Sequence, residues 1–436
     1  MSYDMAQRSL GEIWLTLQKV DAVHGLYYLL LHTLFEAFGA SLEVLRWPSV
    51  VAVAGASCAV ALLGRELASW SAGLVAGIVF PLLPTVQQYA QEGRSYALVC
   101  CFITWSTWLL LKAQRTPGKQ TWLAYGLVLL AGCWLHEFAA LVLTAHGLIL
   151  AILRVGRRVL WTWLLTAACM VAALSPLVVA SMGQAAQVSW IDDVSWADVA
   201  PWAEVATVGI VGRLLLRRAR IPCAAWCICL SLLLAPACTL LLLSLGQNLY
   251  VVRYVLYGQP GLALLVGLAF EYSATSKSAR RVIMSSIVAF GVFALAVTAP
   301  ALHRPKSRSD DVQAIDQAIK GMRTQADGFV FLPSSRRAWV LYQNPEDSTF
   351  TDLALQNSPR SSNTLYGTDV TASAVEGRLM SAERILVVRD PALEKVEHSE
   401  QDTEKRRILR DRFHLCASMQ VNKAHLMLYM RGECQR

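Results

Sequence analysis

The sequence has little charge for its length. Only 16% of its 436 residues are Asp, Glu, Lys or Arg, whereas soluble domains average about 25%. The deficit falls in long apolar runs such as "IPCAAWCICLSLLLAPACTLLLLSLG" and "RVIMSSIVAFGVFALAVTAPAL". Because roughly 20 apolar residues cross a bilayer core, these runs exclude an ordinary soluble protein.

Several common signatures are also missing. No glycine-rich phosphate loop precedes a predicted helix, so a nucleotide site of that kind is not expected. The net charge of +8 comes without a basic patch interleaved with aromatic residues, which argues against nucleic acid as a partner. Nine of the eleven cysteines lie in or beside apolar runs, where thiols suit packing better than metal binding. We therefore predict no metal and no cofactor.

The apolar pattern predicts an all-α polytopic membrane protein with about ten transmembrane helices. Helices are expected because lipid cannot satisfy backbone polar groups. The predicted spans are 46–64, 68–89, 96–112, 121–136, 138–153, 159–181, 204–216, 221–246, 252–271 and 281–302.

Three domains are predicted. Residues 1–45 form a helical segment at the membrane interface, 46–302 form the transmembrane domain, and 303–436 form a small soluble α/β domain. In the last, "GFVFLP", "ERILVVRDP" and "HLMLYMR" are typical of strands, and "TEKRRILRDRFHLCASM" is typical of a helix. Cys416 and Cys434 lie in this domain and are candidates for a disulfide, which the sequence leaves undecided.

The basic loops predict the orientation in the membrane. "GRELAS", "KAQRTPGK", "RVGRR", "RLLLRRAR" and "SKSARR" fall on one side of the membrane if the short predicted span at 204–216 crosses it. Lys and Arg are enriched in cytoplasmic loops, so this side is expected to face the cytoplasm. The opposite side then carries residues 1–45, the acidic "VSWIDDVSWAD" and the C-terminal domain, which is expected to be extracytoplasmic.

Polar residues gather at the span ends on this outer side. Such groups are costly near lipid and are therefore candidates for function. Arginines suit phosphate, carboxylates can take a proton from a hydroxyl, and a cationic cluster attracts an anionic lipid headgroup. Taken singly, these residues also suit ordinary structural roles. Arg94 and Arg253 suit side chains that anchor a helix at the membrane interface, His136 suits a structural hydrogen-bond donor, and Glu92 suits a surface ion pair with Arg94. The candidate substrate-binding residues are Asp21, His24, Tyr27, Arg94, His136, Glu137, Arg253 and Tyr254.

The order of these segments resembles the GT-C membrane glycosyltransferases, in the branch with protein O-mannosyltransferases and the lipid A aminoarabinose transferase. "HGLYYLL" with the following "FG" and "RWPS", then "QYAQEGRSYAL" and "RYVLYGQPGLALLVG", resemble that family's segments over roughly residues 8–300. "DAVHGLYYLL" is most similar to actinobacterial mannosyltransferase-like members. His24 stands where the family has a basic residue, whereas Gly25 and Leu26 replace its usual prolines.

The resemblance implies a polyprenyl-phosphate sugar donor, an acceptor hydroxyl and transfer with inversion. It also implies a general base in an acidic pair of the first outer loop, just after the first span. That span and pair are expected upstream of Met1, and Asp4 is the one nearby acid that could act as the base. A first transmembrane span upstream of Met1 would also explain why residues 1–45 are predicted on the outer side.

Three functions remain open at this stage. The first is transfer of a sugar, mannose by resemblance, from a polyprenyl phosphate to an unknown glycan, lipid or protein hydroxyl outside the cell membrane. The second is a truncated, non-catalytic relative that binds lipid or a partner protein. The third is a transporter of lipid-linked substrates, which is disfavoured because the polar groups lie at one surface and no internal repeat is visible.

Overall fold

The chain divides into two compact units. One combines Met1–Val20 with Ala299–Arg436, and the other is Asp21–Thr298. Hydrogen bonds link the N-terminal residues to the C-terminal region. The buried Arg8 guanidinium donates to the Thr364 carbonyl oxygen at 2.9 Å, and Lys19 Nζ donates to the Ser362 carbonyl oxygen at 3.0 Å. The sequence-based boundaries were 45 and 302. The structure, a computed structural model, describes residues 1–184, 191, 193–215, 221–273, 276–303, 312–323, 325–341, 351–390, 399–422 and 424–434.

The Asp21–Thr298 unit is built from helices. They are α3 (Gly25–Phe38), α4 (Leu42–Leu67), α5 (Trp70–Val79), α6 (Pro84–Ala90), α7 (Tyr96–Arg115), α8 (Lys119–Leu135), α9 (Val142–Ile152), α10 (Arg157–Met182), α11 (Trp196–Leu215), α12 (Cys223–Leu243), α13 (Gln259–Ser273) and α14 (Lys277–His303). Short 3-10 helices at Ala22–His24, Phe80–Leu82, Glu137–Leu141 and Val252–Gly258 stand before α3, α6, α9 and α13.

The predicted fold class, a polytopic helical membrane protein, is confirmed. Among the described residues, six helices are long and apolar enough to cross a membrane, or seven if the bent pair of α5 and α6 is one span. The count of ten is not reached by this measure, although each predicted span coincides with a helix or helix pair. The segments at 121–136 and 138–153 are shorter helices, and α11 carries Asp198, Glu204 and Arg213.

Small residues let α4 and α5 approach closely. A Cβ added at Gly64 would lie 2.7 Å from the Gly73 Cα, which is closer than packed atoms allow. Because these two helices meet backbone to backbone, a larger side chain at either glycine would push them apart.

A chain of hydrogen bonds crosses the middle of the helical bundle. Trp163 Nε1 of α10 donates to the Tyr125 hydroxyl of α8 at 3.1 Å, and that hydroxyl lies 2.9 Å from His146 Nδ1 on α9. His146 Nε2 lies 3.0 Å from Thr107 Oγ1 on α7, whose hydroxyl donates to the Ile103 carbonyl oxygen at 2.8 Å. An indole only donates, so the Tyr125 hydroxyl accepts from Trp163 and donates its own proton to His146 Nδ1. Thr107 uses its one proton on the Ile103 carbonyl, so its oxygen accepts from His146 Nε2.

We expect His146→Leu to lower the stability of the membrane unit by about 1–3 kcal/mol, because the Tyr125 hydroxyl loses its acceptor in a buried site. Thr107→Val should have a similar effect, and Thr107→Ser should restore the hydroxyl and the stability. Thermal unfolding of the full chain in detergent measures this. Thr162→Val is the control, because Thr162 Oγ1 donates only within its own helix, to the Arg158 carbonyl. Equal melting of all four variants would contradict the prediction.

The second unit contains a mixed sheet with helices on its faces. Its strands are β1 (Gly328–Leu332), β2 (Leu355–Asn357), β3 (Thr368–Asp369), β4 (Arg384–Arg389), β5 (His414–Val421) and β6 (Ala424–Met430). The main sheet has the order β1-β4-β6-β5, with β1 parallel to β4 and the other pairs antiparallel, and β2 pairs with β3. Its helices are α1 (Ser2–Ala6), α2 (Leu10–Leu17), α15 (Val312–Arg323), α16 (Ala338–Leu341), α17 (Pro359–Ser362), α18 (Ala372–Met380) and α19 (Glu400–Arg412).

One predicted element of this unit is wrong. The helix expected across "TEKRRILRDRFHLCASM" ends at Arg412, and the following residues form β5 instead. Asn422, at φ +50°, makes the tight turn that returns the chain as β6. Pairing with β6 therefore satisfies the backbone groups of β5 and overrides the helical pattern. Cys416 of β5 forms a disulfide with Cys434, a pairing that the sequence left undecided.

Candidate functional site

The loop between α6 and α7 fixes the backbone of Arg94. Ser49 Oγ of α4 donates to the Glu92 carbonyl oxygen at 2.7 Å. Gly93 packs on Leu45, and a Cβ added there would lie 2.6 Å from the Leu45 Cγ. Close packing against α4 therefore determines the path of the loop that carries Arg94.

Arg94 is connected to Asp21 through a tyrosine. Arg94 Nη1 donates to the Tyr28 hydroxyl at 3.4 Å, and the Tyr28 hydroxyl donates to Asp21 Oδ2. Asp21 has φ +63°, a left-handed conformation that Asp tolerates better than most residues. Non-glycine residues in this region concentrate at functional sites, where the surrounding structure holds them in place.

Arg253 is held by two aromatic rings. Its Nε donates to the Tyr96 hydroxyl at 3.1 Å. Its guanidinium carbon lies 5.9 Å from the centre of the Tyr96 ring and 5.5 Å from that of Tyr254. These distances are typical of cation–π contacts, which orient a guanidinium without neutralising its charge.

Two buried histidines stand between these parts. The His24 and His136 ring centres are 5.7 Å apart, and His136 lies 4.6 Å from the Tyr254 ring. His24 Nε2 is 4.0 Å from Asp21 Oδ1, and its Nδ1 is buried without a hydrogen-bond partner in the described part of the chain. Burial, together with Arg94 and Arg253, lowers the pKa of His24 to about 4, and only Asp21 acts to raise it. The His24 ring is therefore neutral near pH 7.

We call these residues the arginine cluster. They come from four separate segments of the chain, and six of them were predicted as site residues from the sequence. Its members are Asp21, His24, Tyr28, Arg94, Tyr96, His136, Arg253 and Tyr254.

Three predicted site residues have other surroundings. Tyr27 is fully buried, and its hydroxyl has no hydrogen-bond partner among the described residues. Glu137 accepts a hydrogen bond from Ser181 Oγ of α10 at 2.6 Å. Asp4 belongs to the other unit, where its carboxylate forms an ion pair with the buried Arg8 at 2.8 Å. The role of Asp4 as a base stays a prediction.

The sequence interpretation omitted Tyr28 and Tyr96 from the site. Tyr28 follows His24 by four residues, so a helical period places both on one face. Tyr96 is the first residue of α7 and follows Arg94 by two positions. Both spacings were visible in the sequence, but a lone tyrosine near a membrane boundary is usually an interfacial residue.

The arginine cluster lies at one end of the helical bundle. Tyr96 begins α7, His136 directly follows α8, and Arg253 precedes α13. At the opposite end of the bundle, basic residues pair with acids. Arg115 at the end of α7 contacts Glu66 of α4, and Arg280 Nη2 contacts Glu271 of α13 at 2.8 Å. The predicted basic residues at 216–220 lie outside the described residues.

This geometry suits an anionic, phosphate-like group. Arginine offers planar, multidentate donors for phosphate, and the neighbouring tyrosines and histidines add neutral donors. In the described part of the chain, no group of three or more His, Cys, Asp or Glu side chains has the spacing of a metal site.

Comparison with protein-family models and with curated proteins gives no match. The solved structures that are similar to this chain include two of one protein. ArnT from Cupriavidus metallidurans in the apo state has a TM-score of 0.59 at 11% identity, over 93% of this chain and 87% of that one. The same protein bound to undecaprenyl phosphate has a TM-score of 0.54 at 11% identity, over 92% and 87%. The chain therefore has the fold of ArnT, in agreement with the GT-C resemblance at the level of the fold.

Proposed function

We propose that this protein is a membrane glycosyltransferase that moves a sugar from a polyprenyl-phosphate donor to an acceptor hydroxyl. The observation that carries the proposal is the arginine cluster, in which Arg94 and Arg253 lie around buried aromatic and histidine rings at one end of the bundle. Two guanidinium groups at a membrane boundary attract a lipid phosphate and stabilise it as a leaving group. The shared fold with a protein that binds undecaprenyl phosphate supports this choice of donor.

The acceptor side is the outer face of the membrane. Arg115 and Arg280 lie at the bundle end opposite the arginine cluster, and Lys and Arg in short loops favour the cytoplasmic side. The cluster would then open to the outer leaflet, where polyprenyl-linked sugars and membrane lipids are accessible. Because α14 starts near the basic end at Lys277, the chain beyond it would continue on the outer side, with the C-terminal domain.

The sugar proposed is mannose, on the strength of the family resemblance, and the acceptor is a hydroxyl of a glycan, lipid or protein. In this scheme the arginines bind the donor phosphate. The acceptor hydroxyl oxygen forms a bond to the anomeric carbon as the bond from that carbon to the phosphate oxygen breaks. The electron pair of the broken bond stays on the phosphate, and the hydroxyl proton passes to solvent. Tyr254 and the neighbouring Phe138, whose ring centres are 5.2 Å apart, would cover the apolar part of the donor.

The full chain in lipid nanodiscs tests the proposal. We expect it to bind undecaprenyl phosphate and to release polyprenyl phosphate from polyprenyl-phosphate mannose when membrane extract supplies the acceptor. Binding without release, for every polyprenyl-phosphate sugar tried, would support a non-catalytic lipid-binding protein instead. Movement of intact donor across the bilayer without cleavage would support a transporter.

A further inference from the structure

The arginine cluster includes a tight turn, the 3-10 helix Ala22–His24 with Asp21 directly before it. An Asp in this position usually turns its side chain back to accept from the backbone N–H groups that open the helix. The Asp21 side chain makes no such capping hydrogen bond. Because the opening N–H groups of a helix have no partner within it, they need an acceptor from a side chain, water or another segment. For Ala22, the acceptor comes from the end of α10.

Gln184 supplies this acceptor. The Ala22 N–H donates to Gln184 Oε1 at 2.9 Å, across 162 residues of sequence. Gln184 lies just beyond the end of α10, and its own N–H donates to the Ser181 carbonyl oxygen at 2.9 Å, which fixes it in the turn that ends this helix. The end of α10 therefore holds the start of the 3-10 helix without help from the Asp21 carboxylate.

This hydrogen bond leaves the Asp21 carboxylate to the cluster. Asp21 Oδ2 accepts from the Tyr28 hydroxyl, and that hydroxyl accepts from Arg94 Nη1 at 3.4 Å. Asp21 has φ +63°, whereas a residue that caps a helix with its own side chain usually has an extended backbone. A carboxylate that turned back to cap the 3-10 helix would leave Tyr28. Gln184 thereby keeps the connection from Asp21 to Arg94 in place.

The same end of α10 reaches the segment that carries the second histidine. Ser181 Oγ lies 2.6 Å from Glu137 Oε2 and 3.0 Å from the Val178 carbonyl oxygen. A hydroxyl has one proton, and the shorter contact, to a carboxylate, is the stronger of the two. Glu137 directly follows His136, whose ring centre is 5.7 Å from that of His24. One turn of the chain therefore contacts both segments that carry the facing histidines.

We propose that Gln184 and Ser181 are positioning residues of the arginine cluster and that Gln184 acts through Asp21; this inference rests on the proposed function. Neither side chain needs to touch the donor. Gln184 keeps Asp21 in the conformation that orients Arg94, and Ser181 keeps the His136 segment beside the turn. Loss of either hydrogen bond should weaken donor binding although both guanidinium groups of the cluster remain.

Gln184→Met in the full chain in lipid nanodiscs tests the first part. Methionine has a similar length but no acceptor, so the Kd for undecaprenyl phosphate should rise about 3-fold to 10-fold, the contribution of one hydrogen bond. Gln184→Glu keeps an acceptor oxygen at the same reach and should restore binding. The matched control is Gln114→Met at the basic end of the bundle, where Gln114 Nε2 donates within α7 to the Leu111 carbonyl oxygen at 3.2 Å. It should bind as the wild type does.

A double-mutant cycle separates positioning from a general loss of stability. Asp21→Gly removes the carboxylate, and glycine tolerates the left-handed backbone at this position. If Gln184 acts through Asp21, Gln184→Met should cause no further loss of affinity once Asp21→Gly is present. Losses that add would show that the two residues act independently and would overturn this step.

A signal that needs no ligand tests the geometry directly. Full-length protein with a fluorinated tyrosine in place of Tyr28 reports the surroundings of that ring by fluorine NMR. Its resonance should shift in Gln184→Met, because the Asp21 carboxylate is no longer held against the hydroxyl. The resonance should keep its wild-type position in Gln184→Glu and in Gln114→Met.

Ser181→Ala tests the second contact of the turn. It should raise the Kd for undecaprenyl phosphate by a factor similar to that of Gln184→Met, and Ser181→Thr should restore the hydroxyl and the affinity. Ser175→Ala on the same helix is the control, because Ser175 Oγ donates within α10, to the Ala172 carbonyl oxygen at 2.8 Å. Equal affinities of Ser181→Ala and wild type would overturn the role of Ser181.

Two results would overturn the role of Gln184. One is a wild-type Kd in Gln184→Met with an unmoved Tyr28 resonance, and the other is an equal loss of affinity in Gln184→Met and Gln184→Glu. If the Tyr28 resonance moves as expected but the wild type binds no undecaprenyl phosphate, the positioning of Asp21 by Gln184 is supported and the proposed function fails.

Discussion

Arg94→Gln is expected to weaken the binding of undecaprenyl phosphate to the full chain by about 10-fold to 100-fold. Hydrogen bonds to charged groups contribute about 1.5–3 kcal/mol, and a tenfold change in Kd corresponds to about 1.4 kcal/mol. In the described part of the chain, Arg94 donates one hydrogen bond, from Nη1 to Tyr28. Its Nε and Nη2 groups therefore remain for a ligand. Binding to nanodisc-embedded protein measures the change.

Arg253→Gln should have a comparable effect, since this guanidinium is also held by aromatic side chains. Arg94→Lys should recover part of the affinity, because lysine keeps the charge but lacks the planar fork. The double variant should bind more weakly than either single variant.

The matched control is Arg65→Gln. Like Arg253, Arg65 stacks on an aromatic ring, with its guanidinium carbon 4.6 Å from the centre of the Trp70 ring. It lies at the end of α4 away from Ser49, which holds the loop that carries Arg94. It should bind undecaprenyl phosphate as the wild type does. Equal losses in Arg65→Gln and Arg94→Gln would show a general effect of charge and contradict a phosphate site at the arginine cluster.

Lys405→Met is expected to destabilise the unit that contains the mixed sheet by about 3–5 kcal/mol. Lys405 is fully buried, and its Nζ lies 2.5 Å from Asp369 and 2.8 Å from Asp402. It also donates to Ser334 Oγ at 3.0 Å. Removal of the ammonium leaves Asp402 buried without its ion-pair partner, whereas Asp369 keeps Arg337. Loss of one partner of a buried ion pair is the costly case, because the remaining charge is uncompensated. Methionine has a similar length, so the effect reports the charge and not a cavity.

Hydrogen exchange across α19 and the neighbouring strands measures this change in the full chain. Arg410→Met on the same helix is the control, because its side chain is 78% exposed and pairs only at the surface. Exposed pairs contribute little to stability. Unchanged exchange in Lys405→Met would contradict a stabilising role for the buried ion pairs.

The same network predicts a loss of stability in acid. Burial acts to raise the pKa of Asp369, but Lys405 and Arg337 outweigh it and hold the pKa below the ordinary value of 3.8. A carboxylate with a lowered folded pKa stabilises the protein above its unfolded value. This contribution is therefore complete near neutral pH, begins to fall below about pH 4 and disappears as the pH passes the folded pKa. Lys405→Met should reduce this acid dependence.

Local patterns predicted most of the helical architecture. Long apolar runs identify membrane helices because lipid cannot satisfy an open backbone, and each predicted span coincides with a helix or helix pair. Local patterns predicted the C-terminal unit less well. The helix predicted across residues 403–419 is a helix only in its first half, and its second half is the strand β5. A segment of eight residues becomes a strand when a neighbouring strand satisfies its hydrogen bonds, and sequence propensity cannot register that partner.

The candidate site was predicted residue by residue, but not as an arrangement. Costly polar groups at span ends identified Asp21, His24, Arg94, His136 and Arg253. Their order in the chain gave no information on contacts. The connection from Arg94 through Tyr28 to Asp21 depends on α3 meeting the loop before α7, at a separation of 66 residues. Glu137 had the same sequence signal, yet its carboxylate pairs with Ser181.

The sequence by itself determined that this chain is a membrane protein of many helices, and it predicted the side of its basic loops, because hydrophobicity and charge act locally along the chain. Only the tertiary structure decided which polar residues meet. It joined residues 1–20 to the C-terminal unit through Arg8, paired Cys416 with Cys434, and gathered two arginines and two histidines at one end of the bundle. These contacts depend on packing between distant segments, for which a single sequence carries no local signal.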